Sequence, residues 1–476
     1  MLQSLWHSAI IFSLALSLLA QDPPKPDQPK PEPDNNATAP PLVIQNPAPA
    51  QEEQTPEPQY GGPAILSRGG TSTLRVPTEN IRIRPFLTVN GNYDTGITPV
   101  TVSTQGKIPN DNSLGVEVEA GLYGYHRWKT ATLGIDYRGS YRDYTKNTYY
   151  NGTDQSLSLI FTKQATRRLT YTLRESAGLF SRNFYTAGPY NLIDATFSNT
   201  PTSDIFDGRT LYVSTMGDVT YQPTARLSLN IGGDGFVVRR RSSSLYGLTG
   251  YRARGDMAYR TSRFATSGVA YDFTHFEYTK GFGGSDIHTL ALTQAFRIGR
   301  NWELSLRAGG SRVETLGIIS VAIDPVIAAI IGTTQGLAVI YRVNWVPSAN
   351  VLLTRKFHYT TLSFNYNRGV SPGNGIYLTT RQESTNGSLS YSGIRKANIG
   401  LSAGYVTYGS LTQTVGNFSS ITAGGGFTYQ ISGALHFLSH FDYRRYDIAS
   451  TVFQRPSYRA TIGIGFSPKD VPLSLW

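Results

Sequence analysis

The sequence predicts an all-β fold: a transmembrane, antiparallel, up-and-down β-barrel of about 18 strands, with 16 or 20 also compatible. Three observations predict it. Stretches that alternate apolar and polar residues recur from Ile81 to Phe466. The connections between them are by turns short and long. An apolar N-terminal segment has the form of an export signal. In a strand of a membrane barrel one face meets lipid and the other meets water or the interior, so a period of two is imposed along its length.

The elements follow in order. Residues 1–20 form the expected signal peptide, with an apolar core from Ala9 to Leu19 and a small residue, Ala20, for cleavage. That core is too short for an anchoring helix, which needs about 20 apolar residues. The chain holds no cysteine, so disulfides, thiolate metal sites and a lipidated cysteine are excluded. Residues 21–63 contain 13 prolines and are expected to be an extended, disordered spacer, because such composition cannot pack a core. A short connecting segment, 64–80, leads to the barrel at 81–468, and 469–476 form a C-terminal tail.

Within the barrel, Leu114, Val116, Val118, Ala120 and Leu122 alternate with Gly115, Glu117, Glu119 and Gly121. Trp302, Leu304, Leu306 and Ala308 alternate with Glu303, Ser305 and Arg307, and Leu337, Val339, Tyr341, Val343 and Trp345 with Ala338, Ile340, Arg342 and Asn344. A soluble sandwich would alternate too, burying one face against a second sheet. Aromatic residues at segment ends (Tyr149 and Tyr150, Phe184 and Tyr185, Phe276 and Tyr278, Tyr443 and Tyr446) favour a membrane girdle instead. So does the sidedness of the connections. Short ones such as Arg127–Thr130, Gly299–Asn301 and Ile394–Lys396 intervene between longer ones, notably 96–112, 184–208 and 318–336. Both ends of the barrel then lie on the short-turn side, which requires an even strand count.

The signal segment, the strands of 81–466 and the final strand Tyr458–Phe466 resemble Gram-negative outer-membrane β-barrel proteins of the porin-like superfamily. The resemblance implies a barrel surrounded by outer-membrane lipid, a spacer in the periplasm, and insertion by the barrel-assembly machinery. That machinery reads a terminal aromatic residue. Phe466 matches, while the chain continues to Trp476, a second candidate that Pro468 and Pro472 separate from the strand.

The strand phase assigns the pore-lining residues. It places Arg82, Arg84, Arg138, Arg142, Arg174, Arg240, Arg252, Arg254, Arg260, Arg307, Arg342, Arg444 and Arg459 on the polar face. Asp94, Glu117, Glu119, Asp136, Asp218, Asp234, Asp256, Asp272, Glu303 and Asp442 share it. Arginine stays charged and offers fixed donors to carboxylate, phosphate or sulfate, so this wall suits small polar or anionic solutes. The bland alternative is that these charges pair with one another across strands. The connection 318–336 is too apolar for a free loop. Ile318, Asp324, Pro325, Ile330 and Gly336 mark a candidate constriction, with Asp324-Pro325 able to start a helical turn; a plain hairpin extension of the flanking strands is the other reading.

The signature of an enzyme is lacking. The histidines form no HExxH pattern, and Asp272 and His275 fall on opposite faces of an extended strand. Neither a cofactor nor a metal is expected. The formal net charge of +11 comes from arginines dispersed through strands, which does not fit nucleic-acid binding. The function expected is passive passage of small polar, anionic solutes or oligosaccharides. Two alternatives stand beside it: export of an acidic exopolysaccharide, with a periplasmic partner docked on the spacer, and a non-conducting structural or adhesive barrel.

Overall fold

The computed structural model describes residues 81–467 except 96–111, 147–149, 181–208, 243–244, 280, 323–331, 333, 374–377, 412–416 and 449–452. The signal, the spacer, the connecting segment, Asp324, Pro325, Ile330 and Trp476 therefore lie outside the described residues.

Eighteen antiparallel strands form one sheet that closes on itself. They are β1 (Ile81–Thr95), β2 (Asn112–Arg127), β3 (Ala131–Tyr144), β4 (Gly152–Gln164), β5 (Leu169–Phe180) and β6 (Thr210–Tyr221). There follow β7 (Leu227–Arg240), β8 (Gly247–Arg260), β9 (Ala265–Thr279), β10 (Gly284–Ile298), β11 (Trp302–Ala322) and β12 (Gln335–Lys356). The last six are β13 (Thr360–Gly373), β14 (Leu378–Ile394), β15 (Ala397–Ser410), β16 (Phe418–Gln430), β17 (Leu435–Ile448) and β18 (Phe453–Phe466). Each strand pairs with its neighbours in sequence, and β18 returns to β1 in register from Leu87↔Phe466 to Asp94↔Arg459. Closure leaves no sheet edge along the paired rows, which is how a β-structure satisfies its backbone groups in lipid.

Strand β14 is the weakest by sequence. Its Ser384–Ser392 stretch is mostly hydroxyl and amide, so its place rests on pairing with β13 and β15 rather than on alternation.

The period of two is direct in β1, where Leu87, Val89 and Tyr93 are exposed while Thr88, Asn90, Asn92 and Asp94 are buried. A soluble fold would show the reverse. Ile231 is 70% exposed, Leu290 60%, Leu292 68% and Ile462 61%, so the apolar face is the outside of the cylinder. The outer wall thus requires hydrocarbon, and an even-stranded barrel with short turns on one side is an outer-membrane architecture. Near the short turns Arg355 lies over the Trp302 ring at 4.5 Å and the Phe357 ring at 4.0 Å, an interfacial anchor.

Not every aromatic at a segment end belongs to a girdle. Phe276 and Tyr278 share the phase of Asp272 and face inward, 0% and 8% exposed, within an apolar cluster inside the long-loop end. Tyr150 is likewise buried, against Tyr144. Position at the end of a segment does not decide the side; parity does. Tyr149, Phe184 and Tyr185 lie outside the described residues.

A repeated device fits aromatic rings to the inner wall. Phe86 faces Gly121, Tyr125 faces Gly134, Tyr144 faces Gly115 and Tyr212 faces Gly178, each pair directly opposite on neighbouring strands. A Cβ on any of these glycines would meet the ring at 2.5–2.6 Å. The glycine is the space into which the ring folds, so glycine content on the inner face follows from aromatic content.

Candidate functional site

The inner wall is the candidate site, and cross-strand register builds it. On the β18–β1–β2–β3–β4 arc, Arg459 reaches Glu117 at 2.7 Å and Asp94 at 3.6 Å, and Arg142 reaches Asp154 at 2.7 Å and Glu117 at 3.5 Å. The Tyr144 hydroxyl donates to Asp94 at 2.7 Å, and the Asn92 amide donates to Glu117 at 3.1 Å. Arg142 and Asp94 are 2% and 0% exposed, and the Glu117 and Asp154 side chains 16% and 12%, so this network lies mostly out of bulk water. Charged groups persist there because each is paired and hydrogen-bonded.

A second set of pairs lines β6–β11. Arg254 holds Asp218 through bonds of 2.7, 2.8 and 3.0 Å, Arg252 holds Asp234 at 2.8 and 3.3 Å, and Arg307 bonds Asp272. Asn230 donates to Asp256 at 3.2 Å. Arg138 grips Asp136, two residues before it on the same face, through two bonds of 3.0 Å.

Of the sequence-assigned residues, Arg84, Glu117, Glu119, Asp136, Arg138, Arg142, Arg174, Asp218, Asp234, Arg252, Arg254, Asp256, Glu303, Arg307, Arg342, Asp442, Arg444 and Arg459 lie in the phase of the inner face. The side chain of Arg82 is outside the described residues. Most of the charge is drawn into pairs rather than left as an arginine ladder. Among the described residues, Arg84 and Arg260 beside the short-turn end and Arg342 above the opposite rim are inward arginines that make no ion pair.

Asp154 is one inward charge that sequence reading misses. It sits in Gly152-Thr153-Asp154-Gln155, where no apolar neighbour sets the parity. Counting back from Leu157 and Leu159 would have placed it. The inner face of β14 and β15 differs from the charged arcs: Asn386, Ser388, Ser390 and Ser402 are exposed there, a water-accessible hydroxyl strip.

The connection 318–336 is a paired hairpin at its base. Ile318 pairs with Val339 and Val321 with Gly336, and Ile318 is 42% exposed on the outer face. Ile318 and Gly336 thus stand on strands that rise beyond the neighbouring ones. Phe466 ends β18, paired on both sides with Leu87 and Leu435 and facing outward at 52% exposure.

At the long-loop end the mouth is crossed. The Tyr278 hydroxyl lies 2.8 Å from the Thr379 hydroxyl and accepts from the Thr379 backbone N–H at 2.7 Å, while the Ser285 hydroxyl is 2.7 Å from that of Thr379. Thr379 belongs to β14, and Tyr278 and Ser285 belong to β9 and β10. In the sheet β14 neighbours neither β9 nor β10, so the contact spans the interior.

No family model and no curated protein matches the sequence. Among solved structures, Acinetobacter baumannii OccAB4 overlaps 82% of this chain and 99% of its own at 10% identity and a TM-score of 0.38. Pseudomonas aeruginosa OccK2 (OpdF) overlaps 81% of this chain and 98% of its own at 13% identity and 0.40. A BenF-like porin from Pseudomonas fluorescens Pf-5 overlaps 81% and 98% at 11% identity and 0.39. At such scores the likeness does not reach particular residues, and function has to come from this chain's own wall.

Proposed function

We propose that the chain is an outer-membrane, porin-like channel for passive passage of small polar solutes, with a bias toward anions. The observation that carries this reading is the inversion of the barrel: an exposed apolar outer wall around an inner wall of charged, hydroxyl and amide side chains. The paired carboxylates and guanidiniums keep the wall hydrated at little net charge. The anion bias is assigned to arginines at the mouths that make no ion pair, Arg84 and Arg260 at one and Arg342 at the other, where they raise the local anion concentration. In planar bilayers the purified barrel is expected to give ohmic steps, and in a KCl gradient the reversal potential is expected on the anion side. Cation selectivity would defeat the electrostatic part of the proposal. Silence under all voltages would favour the structural or adhesive barrel.

A further inference from the structure

Strand β13 leaves the wall partway up. Its pairing with β12 runs from Lys356↔Thr361 to Ala349↔Arg368 and stops, although β12 continues for another 14 residues, paired only with β11 among the described residues. Above Arg368, β13 pairs only with β14. Its side chains change surroundings at the same point. Phe364, Tyr366 and Arg368 share the lipid-facing phase, and Val370 continues it. Val370 nevertheless packs against the interior apolar cluster that includes Val313 and Val346, both on inner faces. The upper end of β13 therefore lies inside the line of β12.

Burial tells the same story. Ser371, Pro372 and Gly373 are buried in succession, and Thr379 and Thr380 are both 0% exposed. A strand in the wall buries every second residue; one with both faces covered lies within the barrel.

The cause of departure is legible in β12. Pro347 sits two residues above the last paired row and has no N–H to offer. The pattern is general in this chain. Pro85, Pro347, Pro372 and Pro456 are the prolines of the strands, and each lies in a stretch paired on one side only.

The tucked arms are held by a small polar latch and by strain. Tyr278 and Ser285 grip Thr379, and the Tyr278 hydroxyl also donates to the Pro372 carbonyl at 3.4 Å. Thr379 has φ of +43°, unusual for a β-branched residue, and Gly373 has φ of +85°. Such a conformation persists where surrounding contacts impose it, and it favours release when they are lost. Among the described residues, β12 offers an unused edge beside the arms.

We propose that the upper arms of the β13–β14 hairpin, Gly369–Gly373 and Leu378–Gln382, are a hinged gate. Tucked behind β12 they shut the long-loop mouth; rejoining the free edge of β12 they open it. Tyr278, Ser285 and Thr379 are the latch, the junction above Ala349↔Arg368 is the hinge, and Pro347 holds the balance toward the tucked state. The inference adds regulation to the channel reading and rests on it for its effect on conductance.

Two cysteine pairs test it in a chain that has no cysteine of its own. Ser285→Cys with Thr379→Cys traps the tucked state. Ser348→Cys with Gly369→Cys traps the rejoined state at the next row of the ladder, and a Cβ at Gly369 meets nothing within 4 Å. Both pairs are expected to cross-link on mild oxidation in lipid vesicles. The rejoined form should conduct roughly threefold or more above the tucked form, with the difference lost on reduction, as expected when a lid controls access. Tyr278→Phe, which keeps the ring and removes the latch hydroxyl, should raise conductance without any cross-link, as should Pro347→Val. Failure of the first pair to form overturns the tucked position. Equal conductance of the two locked forms overturns the gate. A rejoined cross-link in a barrel silent in every state upholds the hinge and defeats the channel reading. Its absence in a conducting barrel does the opposite.

Discussion

Arg459 is where the closing seam of the barrel can be tested by a single change. Its guanidinium crosses from β18 to bond Glu117 at 2.7 Å and lies 3.6 Å from Asp94, and its own exposure is 6%. Arg459→Met keeps a comparable apolar stem and deletes the charge. Glu117 and Asp154 then keep Arg142 at 3.5 and 2.7 Å, while Asp94 loses the guanidinium beside it and keeps the bond from the Tyr144 hydroxyl. Breaking a buried ion pair from one side costs about 3–5 kcal/mol, because the partner charge stays behind without compensation. With an m-value of about 3 kcal/mol/M, the urea midpoint for unfolding from vesicles should fall by roughly 1–2 M, read by tryptophan fluorescence. Glu117→Gln added to Arg459→Met should cost less than the two changes summed, by roughly 0.5–3 kcal/mol of coupling. The control is Arg312→Met, which removes the partner of Glu314 on the outer face and should cost at most about 1 kcal/mol. If Arg459→Met unfolds within about 1 kcal/mol of the parent, the network is not what holds the seam and the buried-pair argument fails.

Three further outcomes are expected. Gly121→Val drives a side chain into the Phe86 ring and should destabilise by about 1–3 kcal/mol, seen as a lower yield of heat-modifiable folded barrel on gels. Leu292→Arg, at mid-height on the outer wall, should cost about 2–4 kcal/mol in the same urea assay, as charges facing lipid do. Leu337→Arg, 79% exposed on the part of β12 that rises above its neighbours, should cost under about 1 kcal/mol; equal penalties at the two sites would mean that the hydrocarbon boundary is misplaced. Replacing Arg84, Arg260 and Arg342 together by Gln should move the reversal potential toward the cation side while leaving stability near that of the parent, since none of the three holds an ion pair.

What the sequence discloses and what it hides divide along one physical line. Parity is local: Leu114–Leu122 or Trp302–Ala308 shows which residues face lipid without knowledge of any other strand, and so an even strand number near 18 and most of the inner face were legible, while β14 was not. Partnership is not local. That Arg142 would find Asp154 rather than a solute depends on register with β4, and no residue near Arg142 in sequence records it. The same applies to Phe276 and Tyr278, whose aromaticity suggested an interfacial girdle until parity and neighbours put them inside.

The upper half of β13 shows both principles in conflict. Its parity continues the lipid-facing stripe through Val370, yet the chain turns that stripe inward. The signal for this lies in another strand, in Pro347 of β12, whose missing donor ends the ladder. A proline inside an otherwise regular alternating segment is therefore informative about its neighbour as well as itself. In a barrel whose strands are paired on both sides along most of their length, an interruption of the ladder is costly to keep, and one held by a buried tyrosine, two hydroxyls and a strained threonine is a place where two arrangements compete. The competition gives the mouth of this barrel its second state, and it can be shifted by a single hydroxyl at Tyr278.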